Sequence, residues 1–93
     1  MTDQSTIAEV TICNKKGLHA RASAAFVKCA GQYNAEIDVT KDGQTVGGSS
    51  IMGLMMLAAA QGSSIVIEAK GPEGDEALKA LISLIEAKFH EGE

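Results

Sequence analysis

Four stretches of the chain have the pattern of hydrophobic and polar residues that is typical of β-strands. In residues 8–13 and 35–40, apolar and polar side chains alternate, which is the period expected of a half-buried strand. The second stretch leads through an Asp-Gly dipeptide at 42–43, typical of hairpin turns, into a short strand at residues 44–47. Residues 64–69 are nearly all apolar, which predicts a strand at the centre of a sheet.

Three further segments have the periodicity of amphipathic helices. Residues 20–31 carry an apolar stripe and finish with a glycine, a residue at which helices commonly end. Residues 51–59 follow two serines that can cap a helix, and the Gln-Gly pair at 61–62 is expected to end this segment. The last segment places these apolar residues on one face of a helix: Ala77, Leu78, Leu81, Ile82, Ile85 and Phe89.

The predicted order of elements is therefore β-α-β-β-α-β-α. A chain this small buries all of its apolar stripes most simply in an α+β fold, with one sheet that helices cover on a single side. With 93 residues, 45% of them hydrophobic, the chain is expected to form one domain over residues 1–93.

The composition argues against several classes of function. A net charge of −4 and a pI near 5.1 disfavour binding to nucleic acid phosphates, and 3% aromatic residues leave no stacking platform for bases. The chain lacks a signal-peptide pattern and a long apolar run, so we expect neither secretion nor membrane insertion. Cys13 and Cys29 lack CxxC spacing and are expected to be small buried hydrophobes with reduced thiols in the cytoplasm. We find no motif for a metal ion or a nucleotide cofactor.

Charged residues are distributed unevenly along the chain. Residues 10–35 include no acidic side chain but contain the cations Lys15, Lys16, Arg21 and Lys28. Residues 43–67 carry no charge of either sign and include the second helix, which is rich in methionine. An uncharged, methionine-rich surface beside a cationic one suits an acidic protein partner with an apolar centre. The alternative is that the second helix belongs wholly to the core, although one helix cannot bury all of its apolar side chains.

His19 stands where the turn after the first strand meets the first helix. The first turn of a helix has about four amides without intrahelical acceptors and lies at the positive end of the helix dipole, so an anion is favoured there. A neutral imidazole at this point can accept a phosphoryl group, whose oxygens would be met by these amides and by Arg21. The alternative for His19 is a capping or surface histidine without chemistry.

Two motifs resemble those of a known family. The first closely resembles the active-site signature of the histidine-containing phosphocarrier family, HPr, of the phosphoenolpyruvate-dependent phosphotransferase system, and reads Gly17-Leu18-His19-Ala20-Arg21-Ala22-Ser23. The second resembles the family's signature around a regulatory serine and reads Ser50-Ile51-Met52-Gly53-Leu54-Met55. The resemblance extends over essentially the whole chain. It implies the HPr fold, an open-faced β-sandwich in which three helices cover one side of four antiparallel strands.

The resemblance implies a phosphoryl carrier rather than an enzyme. His19 is expected to receive a phosphoryl group on Nδ1 from enzyme I and to pass it to enzyme IIA domains, with assistance from Arg21, in sugar transport or in nitrogen and carbon regulation. Ser50 is expected to be phosphorylated by HPr kinase/phosphorylase, although a helix N-cap alone also explains a serine there. The partner surface that the family implies consists of Leu18, Ala20, Arg21, Ala24 and Lys28 on the first helix and Ile51, Met52, Met55 and Met56 on the second.

The chain departs from the family pattern at Ala22, where many members have proline. The end of the second helix and the start of the last one look more like the nitrogen-related branch of the family than the sugar branch. Two other functions stay open from the residues alone: a regulatory interaction module whose partner depends on phosphorylation of His19 and Ser50, and a small enzyme with His19 as general base. His90 is expected to be a solvated histidine without a ligand role.

Overall fold

The computed structural model describes residues 5–90, and its elements follow the order β-α-β-β-α-β-α that the sequence predicts. The strands are β1 (Ser5–Thr11), β2 (Glu36–Lys41), β3 (Gln44–Gly47) and β4 (Ser64–Lys70). The helices are α1 (Ala20–Ala30), α2 (Ile51–Met56) and α3 (Gly74–Glu86), and a 3-10 turn follows at Lys88–His90. Each of the seven elements overlaps the segment that predicts it.

The four strands form one antiparallel sheet in the order β1-β4-β2-β3. β4 is central, as its apolar sequence predicts, and pairs with β1 and β2 on its two sides. Ile65 lies opposite Val10 and Ile67 lies opposite Val39, and all four side chains are buried beneath the helices. Polar residues alternate onto the other face of the sheet. The predicted fold, with three helices on one side of a four-stranded antiparallel sheet, is confirmed.

The helices bury their apolar stripes against the sheet and against one another. In α1 the predicted stripe is buried at Ala22, Phe26 and Ala30, and in α3 the fully buried residues include Leu81 and Ile85. Complete burial of a side chain the size of leucine or phenylalanine contributes about 1.5–3 kcal/mol each. The hydrophobic core therefore holds α1 in place, and α1 in turn positions the residues at its N-terminus.

The turn between β2 and β3 has the geometry that its sequence predicts. Asp42 has φ 52° and Gly43 has φ 82°, and left-handed geometry at both central residues is what a type I′ turn requires. This turn brings Thr40 opposite Thr45, and their hydroxyl oxygens lie 2.7 Å apart in a hydrogen bond. The hairpin therefore follows from local sequence.

The second helix is shorter than its apolar pattern predicts. α2 ends at Met56 instead of extending to Ala59, so the predicted end at the Gln-Gly pair was wrong. Ala58 has a left-handed φ of 53°, which interrupts the helix, and the adjacent Leu57 and Ala59 lie in the core. Helical periodicity does not reveal this ending, because the stability of a short helix comes mainly from tertiary packing.

Phe89 lies outside the last helix, although its spacing predicts a place on that helix. α3 ends at Glu86, and Lys88, Phe89 and His90 all have positive φ, between 56° and 61°. Phe89 is nevertheless part of the core. Periodicity thus predicted the burial of Phe89 correctly and its backbone wrongly, because burial of an aromatic ring is favourable in either conformation.

Ala58→Gly is expected to raise the free energy of unfolding by about 0.5–1 kcal/mol. Glycine avoids the clash that a left-handed φ imposes on an L-residue, about 1–2 kcal/mol, although the greater entropy of glycine in the unfolded chain offsets part of this gain. Urea unfolding measures the change. The control is Ala60→Gly, which should lose stability because Ala60 is not among the residues with positive φ. Equal losses in both variants would contradict left-handed geometry at Ala58.

Candidate functional site

His19 is the N-cap residue of α1, at the junction where the sequence predicts it. Its backbone is extended, with φ −75° and ψ −177°, and its side chain makes no capping hydrogen bond. Its carbonyl oxygen accepts the first hydrogen bond of the helix from Ser23 N at 2.8 Å. The half-exposed imidazole therefore does not serve as the helix cap.

The backbone carbonyl of Gly17 orients the imidazole of His19. His19 Nδ1 lies 3.1 Å from Gly17 O, and because a carbonyl oxygen only accepts, Nδ1 carries the proton in this contact. The same oxygen accepts a hydrogen bond of 2.9 Å from Nδ2 of Asn14, a fully buried residue. One carbonyl therefore binds both the imidazole and a buried side-chain amide.

The loop that carries His19 rests on the segment that follows α2. Leu18 N donates to Ala59 O at 2.9 Å. Gly17 has φ 64°, and a Cβ there would overlap the same Ala59 oxygen, so this position requires glycine. In addition, Leu18 O accepts a hydrogen bond of 3.1 Å from the buried Ser23 Oγ. These contacts fix the backbone immediately before His19.

The start of α1 is electropositive. Helical geometry leaves the amides of residues 20–22 without intrahelical acceptors, and the helix dipole adds roughly half a positive charge at this end. The first turn contains no acidic residue, and the exposed Arg21 lies within it. An anion beside His19 would therefore be stabilised.

The second helix divides its apolar residues between the core and the surface. Leu54 is fully buried, and the residues that are 39% to 70% exposed are Ile51, Met52, Met55 and Met56. The expectation that one helix cannot bury all of these side chains is confirmed. Ser50 is the N-cap of α2, and its Oγ accepts a hydrogen bond of 2.9 Å from Gly53 N. The capping role that the sequence allows for Ser50 is thus present.

Most of the expected partner surface is exposed, with one exception. α1 packs against α2, and the exposed residues expected on α1 are Ala20, Arg21, Ala24 and Lys28. Leu18 is only 4% exposed and belongs to the core, so its expected place on the surface was wrong. Its backbone is held on Ala59, and burial of its apolar side chain beside the helix is favourable. The buried side chain of Leu18 anchors the loop to the core.

The remaining candidate side chains do not contribute to the site around His19. His90 is exposed in the 3-10 turn. Cys13 and Cys29 are half-buried rather than fully buried; Cys13 Sγ donates to Ile85 O at 3.1 Å, and burial raises the pKa of the Cys29 thiol. Among residues 5–90, no group of His, Cys, Asp and Glu is arranged to hold a metal ion. None of the helices in this part of the chain has the length and apolar character needed to cross a membrane.

The sequence did not predict the burial of two polar residues, Asn14 and Ser23. A signal for Ser23 exists, because it lies three residues before Phe26 and thus on the buried side of the helix. The signal for Asn14 is weaker: asparagine at the start of a turn commonly hydrogen bonds to nearby backbone groups, but this habit does not distinguish a buried turn from an exposed one.

Comparison with known proteins gives consistent matches over nearly the whole chain. A family model described as the PTS HPr component phosphorylation site matches residues 7–87. Phosphocarrier protein HPr of Neisseria meningitidis serogroup A is 52% identical over 84 residues, which cover 90% of this chain and 94% of that protein. Phosphocarrier protein NPr of Shewanella violacea is 41% identical over 83 residues, 89% of this chain and 91% of that protein. The crystal structure of HPr-C-His from Thermoanaerobacter tengcongensis has a TM-score of 0.89 at 44% identity and covers 92% of this chain and 97% of its own.

Gly17→Ala is expected to lower the free energy of unfolding by about 3 kcal/mol or more, because the added Cβ combines a positive φ with an overlap on the Ala59 carbonyl. Gly43→Ala is the matched control. Gly43 also has a positive φ, 82°, but a Cβ there would meet no atom within 4 Å, so a loss of about 1–2 kcal/mol is expected. Urea unfolding measures both losses, and the difference between them gives the cost of the overlap between a Cβ at position 17 and the Ala59 carbonyl. Similar losses would contradict the close approach of Gly17 to Ala59.

Proposed function

The chain belongs to the HPr family of the phosphoenolpyruvate-dependent phosphotransferase system, and we propose that it carries a phosphoryl group on the imidazole of His19. The donor in this proposal is phospho-enzyme I, and the acceptors are enzyme IIA domains in the cytoplasm. The relatives are named for carrying phosphate and not for catalysis, so phosphorylated His19 would be an intermediate that other proteins form and consume. Residues 1–93 would act as a single HPr domain.

One observation carries the proposal: the imidazole of His19 stands at the N-terminus of α1 and is not used as its cap. A phosphoryl group bound to this ring would lie close to the amides of the first helical turn and to the Arg21 guanidinium. Both stabilise phosphate oxygens by hydrogen bonds and positive charge. Because phosphoryl transfer depends mainly on positioning and charge neutralisation, this arrangement is sufficient for a carrier.

In the proposed transfer, the imidazole of His19 is the nucleophile. A lone pair on the ring nitrogen forms the new bond to phosphorus while the bond between phosphorus and the donor breaks, and that electron pair stays with the donor. The reverse exchange passes the group to an enzyme IIA domain. Since His19 is half-exposed, both partner proteins can reach it.

We propose that the partners dock on a surface around His19 that α1 and α2 form together. Its exposed apolar part is Ile51, Met52, Met55 and Met56, and its α1 part is Ala20, Arg21, Ala24 and Lys28. Flexible methionine side chains adapt to different partners, which suits a carrier that must bind at least two. The cations at its edge would attract acidic partner surfaces and increase the rate of encounter.

Phosphorylation of Ser50 by HPr kinase/phosphorylase is proposed as regulation of the same surface. Ser50 Oγ already accepts a hydrogen bond from the first turn of α2, and a phosphate can accept the same bond. Its charge, near −2, would lie beside Ile51 and Met52 in a stretch of the chain without other charges. We therefore infer that phosphorylated Ser50 weakens docking by repulsion and desolvation, with no change of fold.

Incubation with phosphoenolpyruvate and enzyme I is expected to give an acid-labile phosphoprotein that His19→Ala does not form. His90→Ala is the matched control, because His19 and His90 are the only two histidines of the chain and His90 lies in the 3-10 turn. Arg21→Ala should retain the site but lower the rate about tenfold or more, because a charge-assisted contact to phosphate is lost. Acid-labile label that persists in His19→Ala would refute the assignment.

Ser50→Asp is expected to raise the KM of enzyme I for this protein about tenfold, because it places a charge in the docking surface. Aspartate is as good an N-cap as serine, so the free energy of unfolding should change little. Ser49→Asp, at the exposed neighbour that does not cap α2, is the matched control and should have a smaller effect. An unchanged transfer rate for Ser50→Asp would count against regulation at this serine.

A further inference from the structure

Asn14 is a fully buried polar side chain in the turn that precedes His19, and the proposed transfer does not use it. Its Nδ2 donates to Gly17 O at 2.9 Å, and Gly17 N donates back to Asn14 O at 3.2 Å. Two hydrogen bonds therefore close the turn between the same two residues. Asn14 and the hydrogen bond from Leu18 N to Ala59 O, which belongs to the same peptide unit, therefore together fix the direction in which the Gly17 carbonyl points.

The oxygen of Gly17 has two donors, Asn14 Nδ2 at 2.9 Å and His19 Nδ1 at 3.1 Å. A carbonyl oxygen has two lone pairs, so this oxygen is satisfied by these two contacts. Gly17 itself is buried, and a buried carbonyl that loses every donor is destabilised. The protonation and the orientation of the His19 imidazole are therefore coupled to the hydrogen bonding of the Gly17 carbonyl.

Phosphorylation at Nδ1 conflicts with the contact between His19 and Gly17. The nitrogen that donates to Gly17 O carries a proton, and a protonated ring nitrogen has no lone pair with which to form a bond to phosphorus. The proton must first leave Nδ1 for solvent while Nε2 takes one up. Nδ1 must also turn away from the Gly17 oxygen, because phosphoryl oxygens and a carbonyl oxygen repel each other. Gly17 O then loses one of its two donors.

We propose that Asn14 is a positioning residue for His19. Its side-chain amide orients the Gly17 carbonyl toward the unphosphorylated imidazole and keeps that oxygen hydrogen-bonded when the imidazole turns to take up the phosphoryl group. Phosphorylation then leaves no buried carbonyl without a donor. This inference rests on the proposed function of His19 and adds to it the residue that permits the ring to change partners.

Asn14→Leu tests the inference, because leucine is similar in size but cannot donate a hydrogen bond. In this variant His19 is the main donor to Gly17 O, so the Nδ1-protonated form of the neutral imidazole should become more populated. In the presence of enzyme I and at a fixed ratio of phosphoenolpyruvate to pyruvate, the ratio of phosphorylated to unphosphorylated protein should fall about tenfold. This is the effect of losing one buried hydrogen bond. Long-range 1H–15N NMR reads the tautomer, and mass spectrometry reads the phosphorylated fraction.

Ser23→Ala is the matched control, because Ser23 Oγ donates to the neighbouring carbonyl of Leu18 in the same loop. This variant should lose a similar amount of stability, but the tautomer ratio and the phosphorylation ratio of His19 should change much less than in Asn14→Leu, because Gly17 O keeps both of its donors. A folded Asn14→Leu that also keeps both wild-type ratios would overturn the inference. A shift of both ratios in Ser23→Ala as large as that in Asn14→Leu would overturn it as well.

The wild-type protein provides a test that does not require Asn14→Leu to fold. The side-chain amide protons of Asn14 are expected to stay protected from exchange with solvent after phosphorylation, while phosphate is found on Nδ1 of His19. Loss of this protection, or phosphate on Nε2 with Nδ1 still donating to Gly17, would overturn the inference but leave His19 as the carrier. Absence of phosphate from His19 would overturn the proposed function and this inference with it.

Discussion

The hydrogen bond from the Leu18 amide to the Ala59 carbonyl joins the loop before α1 to the segment after α2, and the geometry of the site depends on it. Gly17 must lack a side chain because the same carbonyl oxygen overlaps the position that a Cβ would take. The left-handed Ala58 ends α2 and brings the next carbonyl into reach of the loop. His19 therefore owes its position at the start of α1 to contacts with a segment far away in sequence.

The second helix shows how core packing and the proposed function divide one short element. Leu54 and Leu57 hold α2 on the core, while its exposed methionines stay in solvent, where apolar side chains are unfavourable unless a partner covers them. This uncharged stretch lies next to the cationic start of α1 and forms the apolar part of the proposed docking surface. Ser50 caps the helix at the edge of this surface, so stability and the proposed regulation depend on the same hydroxyl.

Local patterns predicted much of the architecture. Alternation in β1 and β2 and the apolar run in β4 indicated the buried face of each strand, because a period of two leaves only one choice of face once a core exists. The hairpin followed from two residues that tolerate positive φ. The end of α2, the backbone at Phe89 and the burial of Leu18 were not predicted, since in each case packing against distant elements outweighs the local helical or turn preference.

The amino-acid sequence alone was enough for the order of elements, the one-sided sheet, the uneven charge and the place of His19 at a helix start, because each of these depends on residues close together in the chain. The burial of Asn14 and Ser23, the contact of the loop with Ala59 and the contact of His19 Nδ1 with Gly17 O required the folded molecule. Each of these features depends on a contact between polar atoms, or on a burial, that only the folded chain creates. Hydrophobic periodicity does not predict which distant groups will come into contact.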